Sequence, residues 1–281
     1  MRREAAKRKL ENQQKRRAER ARRRQRTAII TSASVVVVVV VAVVLLSTVG
    51  LPGGGGEDAP VASPAKPTTA VTPESIPTEL AAPPVRPTPL PATVTCEYPA
   101  DGDPAKPVQP PAGGEVSAEG TVPVTLKTNA GTIPLTLDRA LAPCAVSSFV
   151  SLTEQGYFDG TNCHRLTTDP GLQVLQCGDP TGTGGGGPGY SFADETFPEL
   201  SYGRGILAMA NSGPDTNGSQ FFMVYGDGGL PPNYTAFGLI SPDGLQVLDD
   251  IARRGHDGSF DPSPGGGAPI QPVTIQTATV A

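Results

Sequence analysis

The sequence is poor in the residues that metal and nucleophilic chemistry use. It holds two histidines, His164 and His256, far apart in the chain, and four cysteines, no pair of which is spaced C-x-x-C. A tetrahedral zinc site draws its ligands from close Cys and His pairs, so no metal is expected. Phosphate-binding loops are missing as well. The glycine run Thr181–Gly189, TGTGGGGPG, has no Lys-Ser/Thr after it and does not join a strand to a helix. That removes the P-loop and the dinucleotide fingerprint. Ser219 does not sit in G-x-S-x-G, and no motif places a His/Asp pair beside it, so hydrolase chemistry has no support. No internal repeat is evident.

What the chain has in abundance is glycine and proline, 34 and 31 of 281 residues, too many for a uniformly packed globule. Its charge is unevenly spread. Residues 1–27 carry 13 Lys+Arg and 3 Asp+Glu, a net of +10, whereas the remainder carries 9 basic and 24 acidic residues, a net of −15. A basic arm can bind nucleic acid. Here it is followed by residues 28–50, AIITSASVVVVVVVAVVLLSTVG, which contain neither charge nor proline. About 20 apolar residues suffice to span a bilayer as a helix. Valine disfavours helix in water, but in lipid the backbone must satisfy its own hydrogen bonds. A basic flank stays on the cytoplasmic side. The expectation is an uncleaved signal-anchor: a transmembrane helix with the tail in the cytosol, the body outside the cell membrane and no nucleic-acid role. A cleaved signal peptide would have a shorter apolar core, of about 7–15 residues, and a better small-residue cleavage site.

Residues 51–120 read as a Pro/Gly-rich linker. Sixteen of the prolines fall in Leu51–Pro111, and such a composition buries too little apolar surface to fold alone, so a disordered, partly extended spacer is expected. Cys96-Glu97-Tyr98-Pro99 interrupts the pattern. An even number of cysteines outside the cytoplasm suggests one or two disulfides among Cys96, Cys144, Cys163 and Cys177, with three full pairings open. A bonded Cys96 would staple the end of the linker to the domain.

The folded domain is expected over 121–281. Val122–Thr128 and Thr132–Asp138 alternate with period two around Asn129-Ala130-Gly131, which predicts a hairpin. Pro143–Gln155 reads as a helix with proline in its first turn and Gly156 after its end. Short strands follow near Asn162–Leu166, Gln173–Cys177, Ile206–Ala210, Gln220–Val224 and Ala236–Ile240, then a helix at Leu245–Arg254 and a strand at Pro272–Thr279. Many short strands with turn punctuation indicate a mainly-β sandwich or barrel.

The stretch that organises the rest is Gly205–Phe222, GILAMANSGPDTNGSQFF. An apolar strand enters a long loop of turn formers and leaves into a second strand, a setting in which function tends to sit. The run Met-Ala-Asn-x-Gly-Pro-x-Thr-Asn-Gly-Ser-Gln-Phe-Phe closely resembles the signature of the cyclophilins, the peptidyl-prolyl cis-trans isomerases. His164-Arg165 and Gln176-Cys177-Gly178-Asp179 occur upstream in the family's order. The resemblance covers about Val122 to Ile275. It implies an eight-stranded antiparallel barrel capped by two helices, acting on Xaa-Pro bonds of proline-containing polypeptides without any cofactor.

The same resemblance assigns the site. Arg165 stands where cyclophilins carry their catalytic arginine, and Gln176 beside it would hold the guanidinium or the substrate backbone. Ala210, Asn211 and Ser212 match the backbone-binding rim, and Gln220 a second glutamine of the groove. Phe222 matches the floor of the proline pocket and Leu230 an apolar wall, while Tyr234 replaces the family's histidine. Gln173 and Val174 align with the pocket's aromatic and methionine side, across an insertion at Thr167–Gly171. Gly229 stands at the usual tryptophan, a residue type the chain lacks. Strand alternation would point His164 opposite to Arg165, as a structural core histidine. Two readings follow: an isomerase of exported or envelope proteins, and a catalytically weak module that docks proline segments in the cell envelope. Gln173 and Gly229 motivate the second.

Overall fold

The structure is a computed structural model and describes residues 69–281. The basic tail, the expected transmembrane helix and the first part of the linker lie outside the described residues. Among the described residues no helix is long and apolar enough to cross a membrane.

The fold is built on the expected hairpin. β3 (Thr121–Thr128) and β4 (Gly131–Asp138) pair antiparallel along their whole length, from Thr121 opposite Asp138 to Thr128 opposite Gly131. Val122, Val124 and Leu126 point inward and Thr121, Pro123 and Lys127 outward, as a half-buried strand requires. The remaining strands are β5 (Thr161–Asn162), β6 (Arg165–Leu166), β7 (Leu172–Cys177), β8 (Ile206–Met209), β9 (Phe221–Gly228), β10 (Ala236–Ile240) and β11 (Thr274–Val280). They form one curled antiparallel sheet in the order β5-β11-β3-β4-β10-β8-β9-β7-β6. Its two ends, β5 and β6, are consecutive in the chain, separated by Cys163 and His164 alone. The segment expected as one strand at 162–166 therefore serves both edges.

Helix α1 spans Pro143–Glu154 and α2 spans Pro242–Arg254. Ser241 caps α2 by accepting from the Gly244 amide at 3.1 Å. α1 has no cap of its own. The carboxylate of Glu195 fills that role from far along the chain, accepting from the amides of Cys144 (3.0 Å) and Ala145 (2.8 Å). Between helix and sheet the Phe149 ring meets those of Phe158, Phe221 and Phe237, with centroids 4.8, 5.1 and 5.3 Å away.

The linker expectation needs correction. Residues 69–120 are not a free spacer; they lie along the sheet and helices as a strap. Val71 exchanges backbone hydrogen bonds with His256, and the Ala81 amide donates to the Arg204 carbonyl. Arg86 donates to the carbonyls of Leu141 and Glu195, both at 2.8 Å, with its guanidinium 5.2 Å from the centre of the Phe197 ring. Lys106 Nζ bonds the carbonyls of Gly156, Tyr157 and Asp159. β1 (Thr93–Cys96) and β2 (Gly114–Ser117) pair as a separate hairpin, and Cys96 is bonded to Cys144. The composition argument fails because it concerns a segment folding alone. A proline-rich chain has little conformational freedom to lose, so docking onto a ready-made surface costs it less. The second disulfide joins Cys163 to Cys177, and no cysteine is left free.

Candidate active site

β6 and β7 set Arg165 directly opposite Gln176, and β7 and β9 set Gln176 opposite Phe222. Period-two alternation then fixes which side chains share a face. Leu172, Val174 and Gln176 of β7 line a cavity of about 460 Å³, together with Arg165. Ala210, Asn211, Phe222, Leu230 and Tyr234 line it from the other side. Leu172, Val174, Phe222 and Leu230 make its wall apolar. The Tyr234 ring meets that of Phe222 edge-on, centroids 5.6 Å apart, and Tyr202 holds Tyr234 in place by donating from its hydroxyl to the Tyr234 carbonyl at 2.6 Å.

A chain of side-chain amides runs along the polar edge. Arg165 Nη1 donates to Gln176 Oε1 at 3.1 Å. Gln176 Nε2 donates to Gln220 Oε1 at 3.0 Å, and Gln220 Nε2 donates to the carbonyls of Gly184 (2.9 Å) and Gly186 (3.0 Å). Each amide is thereby fixed in one orientation, and the last links tie the glycine run to the site. Gln220 and Ser212 border a second cavity of about 480 Å³, which shares Gln176, Gly184, Ala210 and Asn211 with the first. The Asn211 side chain is used within the protein: Nδ2 donates to the Asn233 carbonyl at 2.9 Å and Oδ1 accepts from the Gly213 amide at 3.3 Å. It shapes the rim.

Burial holds the Arg165 guanidinium below the ordinary arginine range, opposed by Tyr234, Asp169 and Asp261. It stays cationic at any physiological pH. Burial also lowers His164, with Asp179 opposing and Arg165 assisting, so the imidazole is neutral at pH 7. Its Nδ1 has no hydrogen-bond partner among the described residues. The alternation expected to turn His164 away from Arg165 is interrupted where the chain passes from β5 to β6, and both residues line the cavity.

Gln173 does not line the pocket. Only 3% exposed, it points to the opposite face of β7, where Nε2 donates to the Ser75 carbonyl at 2.7 Å and Oε1 accepts from the Asp227 amide at 3.1 Å. Leu172 takes the position expected of Gln173. Leu172, Val174 and Gln176 keep the period-two alternation of β7 toward the cavity, which turns Gln173 to the other face. Alternation with Val174 was a signal for Leu172 in the sequence. Phe260 and Pro264 also line the cavity, from the loop between α2 and β11, and no periodic pattern pointed to them.

A cationic fork over an apolar pocket, beside the half-buried rim that follows β8, suits a reaction without bond cleavage. The family model for cyclophilin-type peptidyl-prolyl cis-trans isomerases matches residues 123–280. The chain belongs to the cyclophilin family. The probable peptidyl-prolyl cis-trans isomerase B of Mycobacterium leprae is 52% identical over 198 residues, covering 66% of this chain and 66% of that protein. The Mycobacterium tuberculosis protein of the same description is also 52% identical, with 62% of its length covered. The match thus spans somewhat under two thirds of these relatives. A crystal structure of a cyclophilin-type isomerase from Cryptosporidium parvum aligns with a TM-score of 0.50 at 34% identity, covering 58% of this chain and 98% of that one. The cyclophilin match begins at the β3–β4 hairpin, so the strap of residues 69–120 lies outside it.

Proposed function

We propose that this cyclophilin isomerises Xaa-Pro bonds in exported or envelope proteins. The observation that carries the reading is the placement of the Arg165 guanidinium, held by Gln176, at the mouth of the pocket floored by Phe222. Rotation about a peptide bond is opposed by amide resonance, with a barrier of about 18–20 kcal/mol. In the twisted amide the lone pair returns to the proline nitrogen. A fixed cation that pairs with that nitrogen, or with the carbonyl turning toward it, binds the twisted state better than the planar one. Phe222, Val174 and Leu230 would hold the proline ring, and the Ala210–Ser212 rim the flanking backbone. The return of the sheet order to the chain segment 161–166 supports an eight-stranded barrel closed on itself and capped by α1 and α2.

The test is isomerisation of an Ala-Pro peptide, with affinity measured separately. Arg165→Ala is expected to lower kcat/KM roughly 10²–10³-fold with little loss of ground-state affinity. Arg165→Lys restores little, because a point charge does not reproduce the planar fork. Wild-type turnover in Arg165→Ala would overturn the mechanism. A wild type that binds the peptide without turnover would install the binding-module reading. Of the two features that motivated that reading, the polar Gln173 in the pocket is gone and the glycine at position 229 remains.

Residues 28–50 and the basic tail support a single-pass anchor with the isomerase domain outside the membrane. Protease added to spheroplasts is expected to remove the domain and spare the tail; a protected domain would sink this topology.

A further inference from the structure

The connection from α2 to β11 reaches the site and is not used by the reading above. Within it, Phe260–Gly266 is a closed turn. The Phe260 amide donates to the Gly266 carbonyl at 2.9 Å, the Gly265 amide to the Phe260 carbonyl at 3.0 Å, and the Gly266 amide to Asp261 Oδ1 at 2.7 Å. Its base is pinned to β6 by paired backbone bonds between Leu166 and Gly267, 2.8 and 3.0 Å long. Gly266, at φ +82°, comes so close that a Cβ there would lie 2.3 Å from the Leu166 carbonyl oxygen. Asp257 Oδ1 ties the two sides of the loop by accepting from the amides of Ser259 and Ala268, both at 2.9 Å.

The top of the turn grips the arginine. The carbonyl of Gly265 accepts from Arg165 Nε and that of Pro264 from Nη2, both at 2.8 Å. With Nη1 given to Gln176, three of the five guanidinium hydrogens have protein acceptors, and two remain for a substrate. The half-buried Phe260 and the exposed Pro264 border the first cavity and not the second. They stand at the end of the groove away from Ser212 and Gln220.

Resting on the isomerase reading, we propose that this turn is a fixed wall of the site, and that Phe260 selects an apolar side chain next to the substrate proline, on the side away from the second cavity. A peptide whose ring rests on Phe222 and whose backbone runs along Ala210–Ser212 must leave the groove past Phe260. A leucine there buries surface against the ring, whereas an alanine barely reaches it. The bonds to β6 and across the loop mark a wall built in place, one that does not open and close.

The experiment uses the full chain and three peptides containing Ala-Pro-Ala, Leu-Pro-Ala or Ala-Pro-Leu, with exchange rates and affinities read by NMR. Wild type is expected to favour one of the leucine peptides over the alanine peptide by about tenfold in kcat/KM, a burial effect of one side chain. Phe260→Ala should bring the ratio of kcat/KM between that leucine peptide and the alanine peptide to about one, and Phe260→Leu should restore most of it. A preference that survives Phe260→Ala, or is absent in wild type, overturns the proposal. So does faster turnover of all three peptides by Phe260→Ala, which would make the turn an obstructing lid. If wild type turns over none of the peptides, the isomerase reading fails by itself, and the ratio of affinities decides the role of Phe260 in the same way.

Discussion

Replacing Gln173 separates what the sequence suggested from what the fold demands. Taken as a pocket residue, Gln173 could become phenylalanine with activity kept or improved. In the structure it is the joint between the strap and the sheet. Its amide donates to Ser75 of the strap and accepts from Asp227 of β9. Gly226 packs against it so tightly that a Cβ on Gly226 would lie 1.9 Å from Gln173 Oε1. Gln173→Ala removes two hydrogen bonds worth about 1 kcal/mol each and leaves a buried strand amide without its acceptor. The Ser75 carbonyl can regain water where the strap lifts, so the loss is about 2–3 kcal/mol. Gln173→Phe forfeits the same bonds and forces a ring into filled space, adding about 1–3 kcal/mol of overpacking. Urea unfolding with a constant slope reads these losses as midpoint shifts. Peptide affinity of the folded variants should stay at the wild-type value, because Val174 and Leu172 form the wall. A Gln173→Ala variant within about 0.5 kcal/mol of wild type, or one that binds peptide differently at full stability, would refute this assignment.

The two disulfides close loops of 48 and 14 residues, for which chain entropy predicts losses of about 4 and about 3 kcal/mol when the Cys pairs become Ser pairs. Equal stability of oxidised and reduced protein in denaturant titrations would count against both. Loss of Cys163–Cys177 should also reduce peptide affinity, since that bond brackets Arg165 and Gln176; loss of Cys96–Cys144 should leave affinity alone and make residues 97–113 a protease target. Glu195 supplies a pH dependence. Burial raises its carboxyl from 4.5 to about 7, against the helix amides and Arg86 that lower it. Between those two pH values the folded chain keeps a proton here that the unfolded chain has released. Its contribution to stability is therefore full below about pH 4.5, declines as pH rises and levels off above about 7, a loss on the order of 2 kcal/mol after allowance for its partial exposure. Glu195→Gln should flatten this part of the Tm-versus-pH curve, and an unchanged slope would show that Glu195 titrates normally.

Much of the architecture could be read directly from the residues. Alternation over Val122–Asp138 set the central hairpin, proline and glycine punctuation set the first helix, and the second was placed within a few residues of its observed start. The run Met209–Phe222 marked the site, and Arg165, Gln176, Gln220 and Phe222 do meet there, because strand pairing turns fixed spacings into fixed neighbours. These are local signals, period and turn chemistry, which a chain carries whatever surrounds it. Tertiary structure decided the rest. Alternation within β7 turns Gln173 away from the pocket, but only the folded chain brings Ser75 and Asp227 to its buried amide. Glu195 caps a helix that begins 52 residues earlier, and the carbonyls of Pro264 and Gly265 hold an arginine about 100 residues away. The strap is the plainest case. Its composition describes a chain that cannot fold alone, and it holds its place because carbonyls, a disulfide partner and an aromatic face on the finished sheet and helices receive it.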